Sequence, residues 1–132
     1  MATIFSKIVS GETSSFKVHE SNEFLAFLDI MPLKKGHVLV IPKEQTDYIF
    51  DLSDSDLSAM ILFAKEVAQK IKVVFPCKRI GMAVIGLEVP HAHIHLVPIN
   101  NLADINFSNV KLELTSEELS KIATSISSVD LD

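Results

Sequence analysis

Three of the chain's five histidines fall within five residues, at His91, His93 and His95 of the stretch PHAHIHLVP, residues 90–98. Alternate residues of an extended strand point to the same side. The three imidazoles would then share one face, with neighbours about 6.6 Å apart at ~3.3 Å rise per residue. Ala92, Ile94 and Leu96 would share the other. The apolar face can pack on a helix. A row of imidazoles is costly to bury without partners, so its face should line a cleft.

Three kinds of chemistry fit such a row. The plainest is a set of core histidines satisfied by backbone groups, although polar clusters of this type usually mark a site. A second is metal binding. Two histidines at i and i+2 can chelate zinc, with His37 or Glu88 completing a set of about three protein ligands plus water. No second motif with metal spacing supports it. The third is nucleophilic catalysis at phosphorus, since a neutral imidazole attacks well near pH 7. That chemistry needs one ring nitrogen free and the other hydrogen-bonded, so that the tautomer is fixed. It also needs donors around the non-bridging oxygens. A middle histidine flanked by two others on one face can meet these demands.

The surrounding pattern predicts elements able to hold the row. FSKIVSGE reads as a short helix ending near Gly11. SFKVHES and EFLAFLDI read as two strands joined by a turn at Ser21-Asn22. MPLKKG is a loop, and HVLVIP an apolar strand that opens on His37. A long helix follows, capped by Ser53 with Asp56 three residues on. Its buried face is Leu57, Met60, Ile61, Ala64, Val67, Ala68 and Ile71, and Pro76 marks its end. RIGMAVIG and AHIHLV are further strands. Thr115 and Glu118 cap a last helix whose inner face is Leu119, Ile122, Ala123 and Ile126. The predicted class is α+β: a mainly antiparallel five-stranded sheet, one long crossover helix and a C-terminal helix.

Composition narrows the partners. The 132 residues suit one domain, and 48% hydrophobic content allows a true core. A net charge of −5 without a basic run argues against DNA or RNA. It leaves room for a single small nucleotide. The only cysteine, Cys77, permits no internal disulfide and points to a cytoplasmic setting, with Cys77 itself a small half-buried hydrophobe. MATIFSKIVSGE reads as no signal peptide. No apolar run approaches the ~20 residues of a membrane span.

HAHIHLV resembles the histidine-triad (HIT) motif, His-φ-His-φ-His-φ-φ with φ apolar. AFLDIMPLKKGHVLVIPKE, residues 26–44, is similar to the family's segment in which an Asp precedes a loop and a Gly-His opens an apolar strand. IFSKIVSGE is a weaker third match. The resemblance covers roughly residues 3–99, leaving 100–132 as a C-terminal extension of one HIT-like domain. It implies a homodimer with joined sheets and a purine nucleotide substrate, cleaved between the α-phosphate and its substituent to release a nucleoside monophosphate. It implies no cofactor. It makes His93 the nucleophile and has His95 contact the phosphate. His91 serves the leaving group or the local network, and His37 supports the nucleophile from its far nitrogen. Asp29 would bind the ribose hydroxyls. Phe5, Ile8, Phe27, Leu28, Ile30 and Ile41 would line the base pocket, and backbone N–H groups from Gly86 to Val89 would hold phosphate oxygens. Asp29 has a second reading, as a turn residue before Met31-Pro32.

Two departures from the family pattern carry consequences. Zinc-binding members have a Cys-x-x-Cys near the N-terminus and a histidine after Ile-Pro-Lys; here those positions are Thr3, Ser6 and Gln45. No structural zinc is expected. Many members also place Asn, Gly and Gln-Ser or Gln-Thr before the triad, where this chain has Ile85, Gly86, Leu87 and Glu88 in a shorter loop. An inward Glu88 would weaken the binding of an anion.

Overall fold

A computed structural model describes residues 2–131. Helix α1 covers Ile4–Ser10, and strands β1 and β2 cover Lys17–Glu20 and Phe24–Leu28. Strand β3 is Val38–Pro42, helix α2 Asp54–Val74, strand β4 Arg79–Ala83, strand β5 Ile94–Ile99 and helix α3 Ser116–Ser127. Short 3-10 turns lie at Ile49–Asp51 and Leu102–Ile105. The five strands form one sheet in the order β1-β2-β3-β5-β4, every pair antiparallel. Long α2 carries the chain from β3 to β4, so the α+β architecture is as expected. Among the described residues no helix is long and apolar enough to cross a membrane.

Side-chain alternation divides the sheet into two faces. Phe24, Ala26 and Leu28 of β2, Val38 and Val40 of β3, and Ile94 and Leu96 of β5 pack against α2 and α3. From α2 come Met60, Phe63, Ala64, Val67 and Ile71, and from α3 Leu119, Ala123 and Ile126. Ile61, expected on the buried face of α2, is 41% exposed, and Phe63 is buried instead, tilted against Phe24. The ridge running from Met60 through Ala64, Val67 and Ile71 sets the facing direction. Ile61 lies a ~100° helical step past it, and Phe63 falls on its flank.

The opposite face carries Leu25, Phe27, Leu39 and Ile41, covered by Phe5 and Ile8 of α1. α1 starts at a capping box, with Thr3 Oγ1 accepting from the Ser6 N–H and Ser6 Oγ accepting from the Thr3 N–H. It ends at Gly11, whose φ of 87° is the left-handed value that closes a helix.

Both strands flanking the histidines differ from the expected bounds. β5 begins at Ile94, because the backbone before it is otherwise engaged: the His91 N–H donates to Val89 and the Ala92 N–H to Thr46. β5 also runs through Pro98, which lies beyond the last β3 pairing at Val38–Leu96 and faces only β4. β4 stops at Ala83, and the chain turns through Gly86 at φ 74°.

Candidate active site

The register of β2, β3 and β5 assembles the site on the α1 face. Phe27 pairs with Leu39, and Leu39 with His95, giving one row across three strands. One residue pair beyond the β2–β3 ladder, the Asp29 N–H donates to the His37 carbonyl at 3.0 Å. His37 therefore sits diagonal to His95, within side-chain reach. A cavity of about 460 Å³ opens over these rows. Its walls include Phe5 and Ile8 of α1, Leu28, Asp29 and Ile30 after β2, residues 85–89, His93 and His95.

The hydrogen bonds fix the proton positions on three rings. The Leu33 N–H donates to His37 Nδ1 at 3.1 Å, so His37 carries its proton on Nε2. His37 Nε2 lies 3.0 Å from His95 Nδ1 and donates to it. His95 then has its own proton on Nε2, as a donor. His93 Nδ1 lies 2.8 Å from the His91 carbonyl, which can only accept. His93 Nδ1 is therefore the protonated nitrogen, and in the neutral ring Nε2 is the one with the bare lone pair. Burial, with His95 second, holds His37 down at about 3. Burial and the neighbouring His93 hold His95 at about 4. Both rings are neutral at pH 7, as this bonding pattern requires.

His91 stands apart. Its ring is fully buried and does not line the cavity. Nε2 donates to the Pro42 carbonyl at 2.8 Å, and Nδ1 accepts from the Thr3 hydroxyl at 3.2 Å. The ring thus makes its contacts with Pro42 and Thr3, away from the cavity. Its backbone carbonyl, not its ring, serves His93. The expected support of His93 by His37 is also corrected: His37 bonds to His95, and the far nitrogen of His93 is held by the His91 carbonyl. The register sets this, since it places His37 beside residue 95 rather than residue 93.

Asp29 sits in the anticipated turn and also lines the cavity. Oδ1 accepts from the Met31 N–H at 2.9 Å in a turn, while Oδ2 faces His37 Nε2 at 3.7 Å and the cavity. Burial pushes its carboxyl pKa up. Among the apolar candidates, Phe5, Ile8, Phe27, Leu28 and Ile30 line the cavity. Ile41 does not; it is wholly buried in the layer beneath, with Leu25 and Phe27. Phe5 also sets its ring edge-on to His93, centroids 5.0 Å apart. Gly86, Leu87, Glu88 and Val89 line the opening, Leu87 being 89% exposed. Glu88 is exposed where the cavity meets a shallower depression lined by Thr3, Gln45 and Asp47.

Two metal arrangements can be tested on these residues. Among the described residues, the His/Asp set that converges is Asp29, His37 and His95, not the His-x-His pair. There the proton between His37 and His95 already joins the two rings, so the group is satisfied without a cation. At the positions where zinc-binding relatives hold ligands, the Thr3 and Ser6 hydroxyls close a helix cap on His91. Neutral hydroxyls engaged in this way do not suit zinc.

Phe107 and Lys111 also line the cavity, and sequence reasoning missed them. They lie in a loop of the extension with no periodicity to reveal them.

A sequence model of the HIT domain matches residues 10–102. The chain is 33% identical over 132 residues to an uncharacterised HIT-like protein of Borreliella burgdorferi, covering 94% of this chain and 95% of that one. It is 38% identical over 106 residues to an adenosine 5'-monophosphoramidase of Schizosaccharomyces pombe, covering 76% and 77%. A crystal structure of a Hit-like protein from Bartonella henselae superposes with a TM-score of 0.81 at 28% identity, over 95% of this chain and 93% of that one.

Proposed function

The chain belongs to the HIT family, and from that premise we propose that it is a hydrolase cleaving the substituent from the α-phosphate of a purine nucleotide, a phosphoramidate above all. The observation that carries this reading is the bare Nε2 of His93, held at the cavity by the bond from Nδ1–H to the His91 carbonyl. In the proposed reaction Nε2 attacks phosphorus. The N–P bond forms, the bond to the leaving amine breaks, and the amine takes a proton from solvent. The nucleotidyl-imidazole is cationic, and the His91 carbonyl dipole stabilises it. Water then attacks phosphorus and gives up a proton to solvent, the N–P bond breaks with its electron pair returning to Nε2, and the monophosphate leaves. His95 Nε2–H donates to a non-bridging oxygen, joined by backbone N–H groups of residues 86–89. Asp29 takes the ribose hydroxyls, and Phe5, Ile8, Leu28 and Ile30 take the base.

The test is hydrolysis of adenosine 5'-phosphoramidate. Wild type should release AMP, and His93→Ala should lose about three orders of magnitude or more, as removal of a covalent nucleophile does. Undiminished turnover by the variant overturns the assignment. Glu88 at the opening disfavours a highly charged leaving group, which ranks a dinucleoside polyphosphate below the phosphoramidate. The same Leu87-Glu88 segment supports a second reading, a nucleotide-binding module with little turnover. Binding without hydrolysis of any nucleotide would favour it.

We also read the protein as a cytoplasmic homodimer of one HIT-like domain, residues 100–132 being its extension. β4 is an edge strand, and Met82, Val84, Ile85 and Leu87 leave apolar surface exposed along and beyond it. Sedimentation equilibrium giving the monomer mass, 14.6 kDa, at micromolar concentration would refute the dimer.

A further inference from the structure

The cavity meant for an anion is poorly matched in charge. Asp29 and Glu88 line it, His37 and His95 are neutral, and Lys111 is the only Lys or Arg among its lining residues. Lys111 lies beyond residue 102, where the family match ends.

The loop that carries Lys111 is tied to the site. Phe107 sets its ring edge-on to His95, centroids 4.7 Å apart, and to His37 at 6.3 Å. The Leu112 N–H donates to the Pro32 carbonyl at 2.8 Å, in the loop that leads to His37. Lys111 Nζ donates to the carbonyls of Phe107 and Asn109. An ammonium has three N–H donors, so one remains. Its positive charge reaches both Asp29 and His37. The loop that holds the ammonium therefore borders the His95 and Asp29 part of the cavity.

We propose that Lys111 is a phosphate-binding residue: its ammonium contacts the anionic phosphate held over His93 and His95, and Phe107 walls that position. The inference rests on the nucleotide reading above. The bare lone pair of His93 can approach phosphorus only if the negative oxygens are drawn elsewhere. Neutral His95 offers one hydrogen bond and no charge. Lys111 supplies the charge from a segment outside the family-matched region, so it would distinguish this chain from relatives whose extensions differ.

The competing account is that Lys111 only staples the loop through its two carbonyl bonds. Titration calorimetry of the full chain with adenosine and with AMP separates the two. Lys111→Gln should weaken AMP binding about ten- to a hundredfold, the usual effect of losing a hydrogen bond to a charged group. It should leave adenosine binding within about twofold, and Lys111→Arg should recover most of the AMP affinity. Equal weakening of both ligands, or no change in either, overturns the proposal. Wild type that binds neither ligand overturns the nucleotide reading and this inference with it.

Discussion

His37 Nε2 donates to His95 Nδ1 across 3.0 Å, and the bond has a single polarity because the Leu33 N–H already occupies His37 Nδ1. A backbone amide thus sets the tautomer of a ring two steps away. The relay ends at His95 Nε2–H, facing the cavity. Removing His37 leaves His95 free to adopt either tautomer. His37→Ala should lower kcat for phosphoramidate hydrolysis about ten- to a hundredfold, less than the roughly hundred- to thousandfold lost when a transition-state donor is removed outright, with a smaller change in KM. Steady-state kinetics provides the check, and an effect confined to KM would refute the relay.

His91 and Thr3 form a second linked pair, and their part is architectural. The Thr3 hydroxyl caps α1 through Ser6 and meets His91 Nδ1, tying the helix that bears Phe5 to the histidine strand. His91→Ala strands the Pro42 carbonyl and opens a buried space. It should cost about 2–4 kcal/mol, while sparing hydrolysis far better than His93→Ala does. Thr3→Val loses the cap and should cost about 1–2 kcal/mol, with Thr3→Ser close to wild type. Urea denaturation midpoints measure both.

Gly36 immediately precedes His37 at φ 93°, a backbone region that side chains avoid. A Cβ there would lie 2.7 Å from Phe75 Cδ2 and 3.2 Å from Pro98 Cγ. Gly36→Ala should destabilise by about 2 kcal/mol or more through strain and overpacking. It should also reduce activity, since the displaced neighbour is His37. Unchanged stability with unchanged kcat would count against this packing.

Acid should unfold the protein through its histidines. His37 and His95 are held at about 3 and about 4, below the 6.5 of an unfolded chain, and burial lowers His91 as well. Between those values the unfolded state takes up protons that the folded state refuses, so stability rises with pH over that window. It should fall as pH drops below about 6.5, by up to ~1.4 kcal/mol per pH unit for each such histidine. The raised carboxyl of Asp29 opposes this weakly at the acid end. Denaturant midpoints at pH 7.5, 6 and 5 report the slope. His95→Asn should flatten it.

Much of the site is legible in local pattern because strand alternation is a short-range rule. It placed Ala92, Ile94 and Leu96 against the helix layer and His93 and His95 on the cavity face. The cap of α3 and its buried stripe follow from the same kind of local chemistry. The partners of those residues are not legible this way. His37 meets His95 instead of His93 because β3 and β5 register at Leu39–His95, and that offset depends on the whole sheet. His91 turns inward because α1, far away in sequence, delivers Thr3 to it. Ile61 is exposed and Phe63 buried because the ridge Met60, Ala64, Val67 and Ile71 faces the sheet, which leaves Phe63 on its flank against Phe24 of β2 and His19 of β1.

By itself the sequence determined the periodic elements, the family motif and the histidine face, all of which depend on neighbours within a few residues. The tertiary structure alone decided which ring nitrogen bears each proton, that Ile41 is core and not lining, and that Phe107 and Lys111 close the cavity. Each of these depends on groups distant in the chain, and a tautomer is settled only by the donor or acceptor that folding brings within about 3 Å.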